Sequence, residues 1–154
     1  MLHGAWIDVG DEDAVWAEIR AMLKASPEPM AEEFAIHDHD GFGGVGDRRN
    51  NASIGKVVRI ADFLRARERL GALVLEQLDG DLDSAAIALE DQYCGVFGSL
   101  ADYFQDLTEE TTQVPEHLRL YIDYGSPWPT MRGRAARCST VETAHDQMHV
   151  FRTR

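Results

Sequence analysis

The sequence predicts an α+β protein built from small lobes in series: an N-terminal βαβ lobe (1–52), a central helical lobe (53–98) and a C-terminal lobe of helix plus hairpin (99–154). Three observations predict it. Two short runs of strand-forming residues flank an amphipathic helix near the start, apolar residues recur at helical spacing through the middle, and two alternating runs close the chain. With 154 residues and 44% hydrophobic content, the chain is long enough to bury a core.

Residues 5–9 place Trp6, Ile7 and Val9 around Ala5 and Asp8 and read as a short strand. Gly10-Asp-Glu-Asp13 then supplies a cap and first-turn acids for a helix reaching Lys24, with Val15, Ile19, Met22 and Leu23 on its apolar face. Pro27 and Pro29 end it, because proline lacks the donor a helix needs. Residues 33–38, Glu-Phe-Ala-Ile-His-Asp, read as a second strand, and Gly41-Phe-Gly-Gly-Val-Gly46 as a loop. Ser53 is placed to cap a helix whose core face is Ile54, Val57, Val58, Ala61 and Leu64. A lobe boundary is expected near 69–71. Three short helices follow. One spans 70–78 and ends at Asp79-Gly80, the next starts at Asp81 or Asp83, and a third comes after an interruption at 95–98, opened by the capping-box-like Ser99-Leu-Ala-Asp102. Val114-Pro115 opens a last short helix through Tyr124, and Gly125-Ser-Pro-Trp-Pro breaks the pattern. Residues 137–143 and 148–151 read as two strands joined by 144–147.

Charge is distributed unevenly over these elements. Residues 76–124 hold twelve acids, Glu76, Asp79, Asp81, Asp83, Glu90, Asp91, Asp102, Asp106, Glu109, Glu110, Glu116 and Asp123, against the single base Arg119. The local balance of −11 nearly equals the −12 of the whole chain. Residues 44–75 carry seven bases against three acids, and 125–154 five against two, so the acidity is a block and not a background. The block is not a disordered tail, since its apolar residues keep helical spacing. Like charges one turn apart repel, so the fold itself gains nothing from Asp102 with Asp106 or Asp106 with Glu110. Two readings of the block are open at this point: an ordered file of negative charge aimed at a basic partner, or a solvated face that aids solubility.

Several function classes find no support. The dominant field has the wrong sign for touching phosphate, so direct nucleic-acid binding is not expected. Gly41, Gly43 and Gly46 match G-x-G-x-x-G, yet the next helix starts several residues too late to point its N-terminus at a pyrophosphate. His37 and His39 share a strand face and would need Asp38, Asp40, His145 or His149 beside them to hold a metal, which nothing in the spacing fixes. Cys94 and Cys138 are two isolated cysteines and read as reduced, packed thiols. No catalytic residues, cofactor or metal are assigned. No run of about 18 apolar residues is present and the N-terminus lacks a basic start and apolar signal core, so a cytoplasmic protein with no membrane contact is expected.

Taken in order, several segments resemble one family, the ArdA antirestriction proteins. They are Leu2-His-Gly-Ala-Trp-Ile-Asp8, Glu33-Phe-Ala-Ile-His-Asp38, Gly80-Asp-Leu-Asp83, Leu89-Glu-Asp-Gln-Tyr-Cys-Gly95, Ser99-Leu-Ala-Asp-Tyr103, Pro115-Glu-His-Leu118, Tyr121-Ile-Asp-Tyr124 and His149-Val-Phe151. The resemblance implies an elongated, three-lobed homodimer that imitates bent B-form DNA and occupies the DNA-binding groove of type I restriction-modification enzymes, within a family carried on mobile genetic elements. The twelve acids would then be the mimicking surface. Two departures stand out. The chain starts almost at the Leu-His-Gly-x-Trp segment that a strand usually precedes, which predicts an open sheet edge, and prolines and bases at 125–134 replace the family's acidic helical continuation.

Dimerisation is expected through the C-terminal part. Tyr121, Tyr124, Trp128, Met131 and Phe151, with Met148 and Val150, are many large apolar side chains for a short, proline-interrupted segment. The alternatives are a lobe that buries these residues in its own core and, for the chain as a whole, an acidic adaptor that binds some other basic partner without imitating DNA.

Overall fold

A computed structural model describes residues 3–28, 30–42, 53–125 and 137–152. It combines helices with a three-stranded antiparallel sheet, an α+β protein as the sequence predicts. The chain divides into two compact units, Met1–Leu82 and Asp83–Arg154.

In the first unit, α1 (Glu12–Lys24) starts where the sequence places it, with the Asp11 carboxylate accepting the Ala14 N–H at 3.0 Å. Its buried face, Val15 and Ile19, packs on Ile54 and Val58 of α2 (Ile54–Gln77), which Ser53 caps through the Lys56 N–H. Residues 6–9 and 33–38 are not strands. Ile7, Val9 and Ile36 turn onto the α1–α2 core as the alternation predicts, yet neither segment joins a backbone ladder among the described residues. Alternation reports which side chains face inward, whereas a strand also needs a neighbouring backbone, and none of the described segments supplies one. The expected βαβ lobe is therefore one helix flanked by two unpaired segments.

Inside α2, Glu68 adopts φ 47°, ψ −139°. A non-glycine residue in that region stores strain. Close by, a Cβ added to Gly71 would collide with the Cβ of Arg67. Two substitutions should therefore move stability in opposite directions. Gly71→Ala is expected to cost about 1–3 kcal/mol through overpacking, and Glu68→Gly to return about 1 kcal/mol by relieving the dihedral strain, both read from urea midpoints.

The second unit is built on β1 (Tyr93–Phe97), β2 (Cys138–Ala144) and β3 (Gln147–Arg152) in the order β1-β3-β2. The β2–β3 hairpin forms where the sequence places it, turning through Asp146 at φ 61°, a conformation Asp tolerates. Strand β1 corrects the reading of the central lobe, 53–98, as helices with an interruption at 95–98. Gly95, at φ 126°, sits at a bulge in the ladder to β3, and a glycine-containing five-residue run reads as an interruption until its distant partner is known. Ahead of it, α3 (Leu82–Ile87) passes into a π-helical turn, Ala88–Gln92. Helix α4 (Leu100–Thr111) packs Tyr103 and Phe104 on Val150, while α5 is only Glu116–Arg119 and does not reach Tyr124. Among the described residues nothing buries α5, since Leu118, Leu120 and Tyr121 are exposed, and a short helix without a buried face stops early.

A chain of side chains laces the three strands. The Tyr93 hydroxyl lies 2.9 Å from His149 Nδ1, and Thr143 Oγ1 lies 2.9 Å from His149 Nε2 and 3.4 Å from Gln147 Oε1. A neutral ring satisfies all of these contacts, with Tyr93 donating to Nδ1, Nε2–H donating to Thr143, and Thr143 donating onward to Gln147. Burial pushes the His149 pKa below its ordinary 6.5. Because the folded pKa lies below the unfolded one, the unfolded chain takes up the proton first. Stability should be full above pH 6.5 and fall as pH drops below it, levelling off beneath the folded pKa. Urea unfolding between pH 7.5 and 5.5 checks this, with His149→Gln expected to flatten the dependence.

Candidate functional site

Twelve of twelve carboxylates in the 76–124 block are exposed. Three belong to the first unit and nine to the second. In the first unit, Glu76 occupies the last turn of α2, a turn with no base, and Asp79 and Asp81 follow it. The turn is closed by Gly80 N–H donating to Leu75 O at 2.8 Å and Asp79 N–H donating to Glu76 O at 3.1 Å, which makes Asp79 the left-handed residue of the cap at φ 53°. Glycine is the usual occupant there, and an acid at a helix C-terminus opposes the dipole.

In the second unit, Asp83 opens α3 and Glu90 and Asp91 lie on the π-helical turn, with Ala85 and Ala88 buried on the other side. Helix α4 gives the clearest geometry. At 3.6 residues per turn, Asp102, Asp106 and Glu109 fall within about 60° of arc over about 10 Å, on the far side from Leu100, Tyr103, Phe104 and Leu107. Glu110 borders this stripe. Asp102 has a structural role as well: Ser99 Oγ accepts its N–H at 3.2 Å and donates to its carboxylate at 2.8 Å. Glu109 accepts from Gln105 Nε2 at 3.3 Å and faces Arg119 Nη1 at 4.0 Å, an exposed pair worth less than about 1 kcal/mol. The last turn of α4 holds no base, so Glu109 and Glu110, like Glu76, sit against a helix dipole. Glu116 opens α5, and Asp123 accepts the Gly125 N–H at 3.0 Å.

The residues expected at a dimer interface are scattered in burial. Tyr121 is 82% exposed, next to Leu120 at 94%. Tyr124 is half-buried against the Tyr103–Phe104–Val150 core, with a hydroxyl that finds no hydrogen-bond partner among the described residues. Phe151 is 2% exposed, its ring 5.3 Å from that of Tyr93, so it fills the unit's own interior. The sheet gives it neighbours that the sequence pattern does not show. Trp128 and Met131 lie outside the described residues, as does the glycine loop from Gly43 onward.

Cys94 and Cys138 are free thiols on the two strands that flank β3. The Tyr103 hydroxyl donates to Cys94 Sγ at 3.8 Å, and burial pushes the Cys138 thiol up, away from reactivity. Among the described residues no group of three or more His, Cys, Asp or Glu is placed to hold a metal ion, and no helix is long and apolar enough to cross a membrane. One feature of the first unit was not foreseen: a broad groove with Trp6, Met30 and Phe34 exposed along it. The apolar runs around these residues are its sequence signal.

These features define the class, an acidic α+β protein that displays exposed carboxylates on its helices and the turns that follow them. Residues 1–128 match the family described as Antirestriction protein (ArdA), and the chain belongs to that family. Neither the curated proteins nor the solved structures give a match. The β2–β3 hairpin, which supplies the central strand of the second unit, lies beyond the matched residues.

Proposed function

We propose that this antirestriction protein works as a DNA mimic: it occupies the DNA-binding groove of a type I restriction-modification enzyme in the cytoplasm and blocks restriction, without catalysis and without binding nucleic acid itself. One observation supports this above the rest. The carboxylates of the 76–124 block are exposed without exception, and those at the ends of α2 and α4 oppose the helix dipoles, an arrangement that folding does not reward. Duplex DNA offers a protein one negative charge per about 3.4 Å of axis on each strand, and a basic groove built for that field accepts an ordered file of carboxylates in its place. The protein acts as a homodimer, joining two acidic surfaces. The exposed run of Leu118, Leu120 and Tyr121 supports an interface there.

Competition against duplex DNA for a type I methyltransferase core tests the reading. The protein is expected to displace DNA, with affinity falling by about an order of magnitude or more between 50 and 200 mM salt, since the attraction replaces phosphate contacts. An affinity unchanged over that range, or binding that leaves DNA in place, would point to an acidic adaptor instead.

A further inference from the structure

The first unit contains a second candidate surface, unrelated to the acidic block. A groove of about 1800 Å³ runs over α1 and α2, lined by both unpaired segments. Small-molecule pockets measure about 300–1,000 Å³, so this one is shaped for a longer ligand. Three large apolar side chains stand open along it: Met30 at 81% exposure, Trp6 at 73% and Phe34 at 37%. Soluble proteins seldom leave such residues grouped in the open unless something covers them.

The backbone is equally incomplete. Over residues 6–9 exposure alternates with period two, which is the mark of extended chain. The main-chain groups of Trp6, Ile7, Phe34, Ala35 and Ile36 make no hydrogen bond to the described residues. An extended segment whose donors and acceptors meet none of the described residues, beside exposed apolar side chains, is the surface to which a peptide adds as a strand. Charge selects the occupant. Seven carboxylates line the groove, among them Asp8, Glu32, Glu33, Asp38 and Asp40, against two guanidiniums, Arg65 and Arg69.

We infer that this groove binds an extended, basic peptide segment of a partner protein, which pairs its backbone with residues 6–9 or 33–38 and seats apolar side chains against Trp6, Met30 and Phe34. The inference does not rest on DNA mimicry. The test uses the full chain and a fluorescently labelled short peptide alternating lysine with valine or phenylalanine, with a glutamate-for-lysine counterpart as control, read by anisotropy and by hydrogen exchange. The lysine peptide is expected to bind, to protect amides within 6–9 or 33–38, and to lose about tenfold in affinity in Trp6→Ala and in Phe34→Ala, the loss typical of an aromatic anchor. The variant neutralised on α4 should bind it unchanged, which separates this surface from the acidic block. Equal binding of the glutamate peptide, protection confined to 76–124, no binding at all, or affinity indifferent to Trp6→Ala each overturns the inference. So does a dimer that Trp6→Ala converts to monomer, since that assigns the groove to a second copy.

Discussion

Neutralising the acidic stripe of α4, as Asp102→Asn, Asp106→Asn, Glu109→Gln and Glu110→Gln together, is expected to weaken inhibition of a type I enzyme by about 30-fold to 1,000-fold. The estimate takes four exposed charges at about 0.5–1 kcal/mol each and 1.4 kcal/mol per factor of ten. Any single replacement should do little, because a field summed over many exposed carboxylates is lost gradually. The fold should survive. Asn at 102 keeps an oxygen for the Ser99 hydroxyl, so the cap persists, and removing like charges one turn apart together with the acids at the C-terminal end removes two sources of strain. The loss of the first-turn charge at 102 offsets part of that gain, so the quadruple variant is expected to melt close to the parent temperature while inhibiting poorly. Full inhibition by a folded quadruple variant would move the active surface away from α4.

On the proposed function, stability and inhibition pull in opposite directions at the C-terminal turns of α2 and α4, and part of this arrangement was legible in the sequence. Side-chain caps are local, and Asp11, Ser53 and Ser99 all act where the sequence places them. Exposure of the twelve acids was legible too, because each falls off the apolar stripe of its own segment. What could not be read was whatever depends on a distant partner. Tyr93-Cys-Gly-Val-Phe97 becomes a strand only through β3, far along the chain, while residues 6–9 and 33–38 have the pattern of strands and lack a ladder. The kink inside α2, at Glu68 beside the crowded Gly71, likewise has no signal in the sequence pattern.

Phe151 shows the same limit and leads to the largest stability effect. A terminal apolar residue reads equally well as interface or as core, since pattern does not say which neighbours it meets. In the structure it is 2% exposed beside Tyr93, and the adjacent Val150 is fully buried against α4 on the opposite face of β3. Phe151→Ala is expected to cost about 3–5 kcal/mol through lost burial and the cavity left behind. A unit the size of Asp83–Arg154 has only about 4–11 kcal/mol to lose at 0.05–0.15 kcal/mol per residue. The substitution should therefore remove much of the stability of the sheet and of the α4 acids it supports, although it lies outside the residues that match the family. Urea unfolding at several protein concentrations distinguishes the two roles. A core residue gives the same loss at every concentration, with inhibition disappearing alongside the structure of 83–154. A variant that stays folded and merely dissociates on dilution would return Phe151 to the dimer interface.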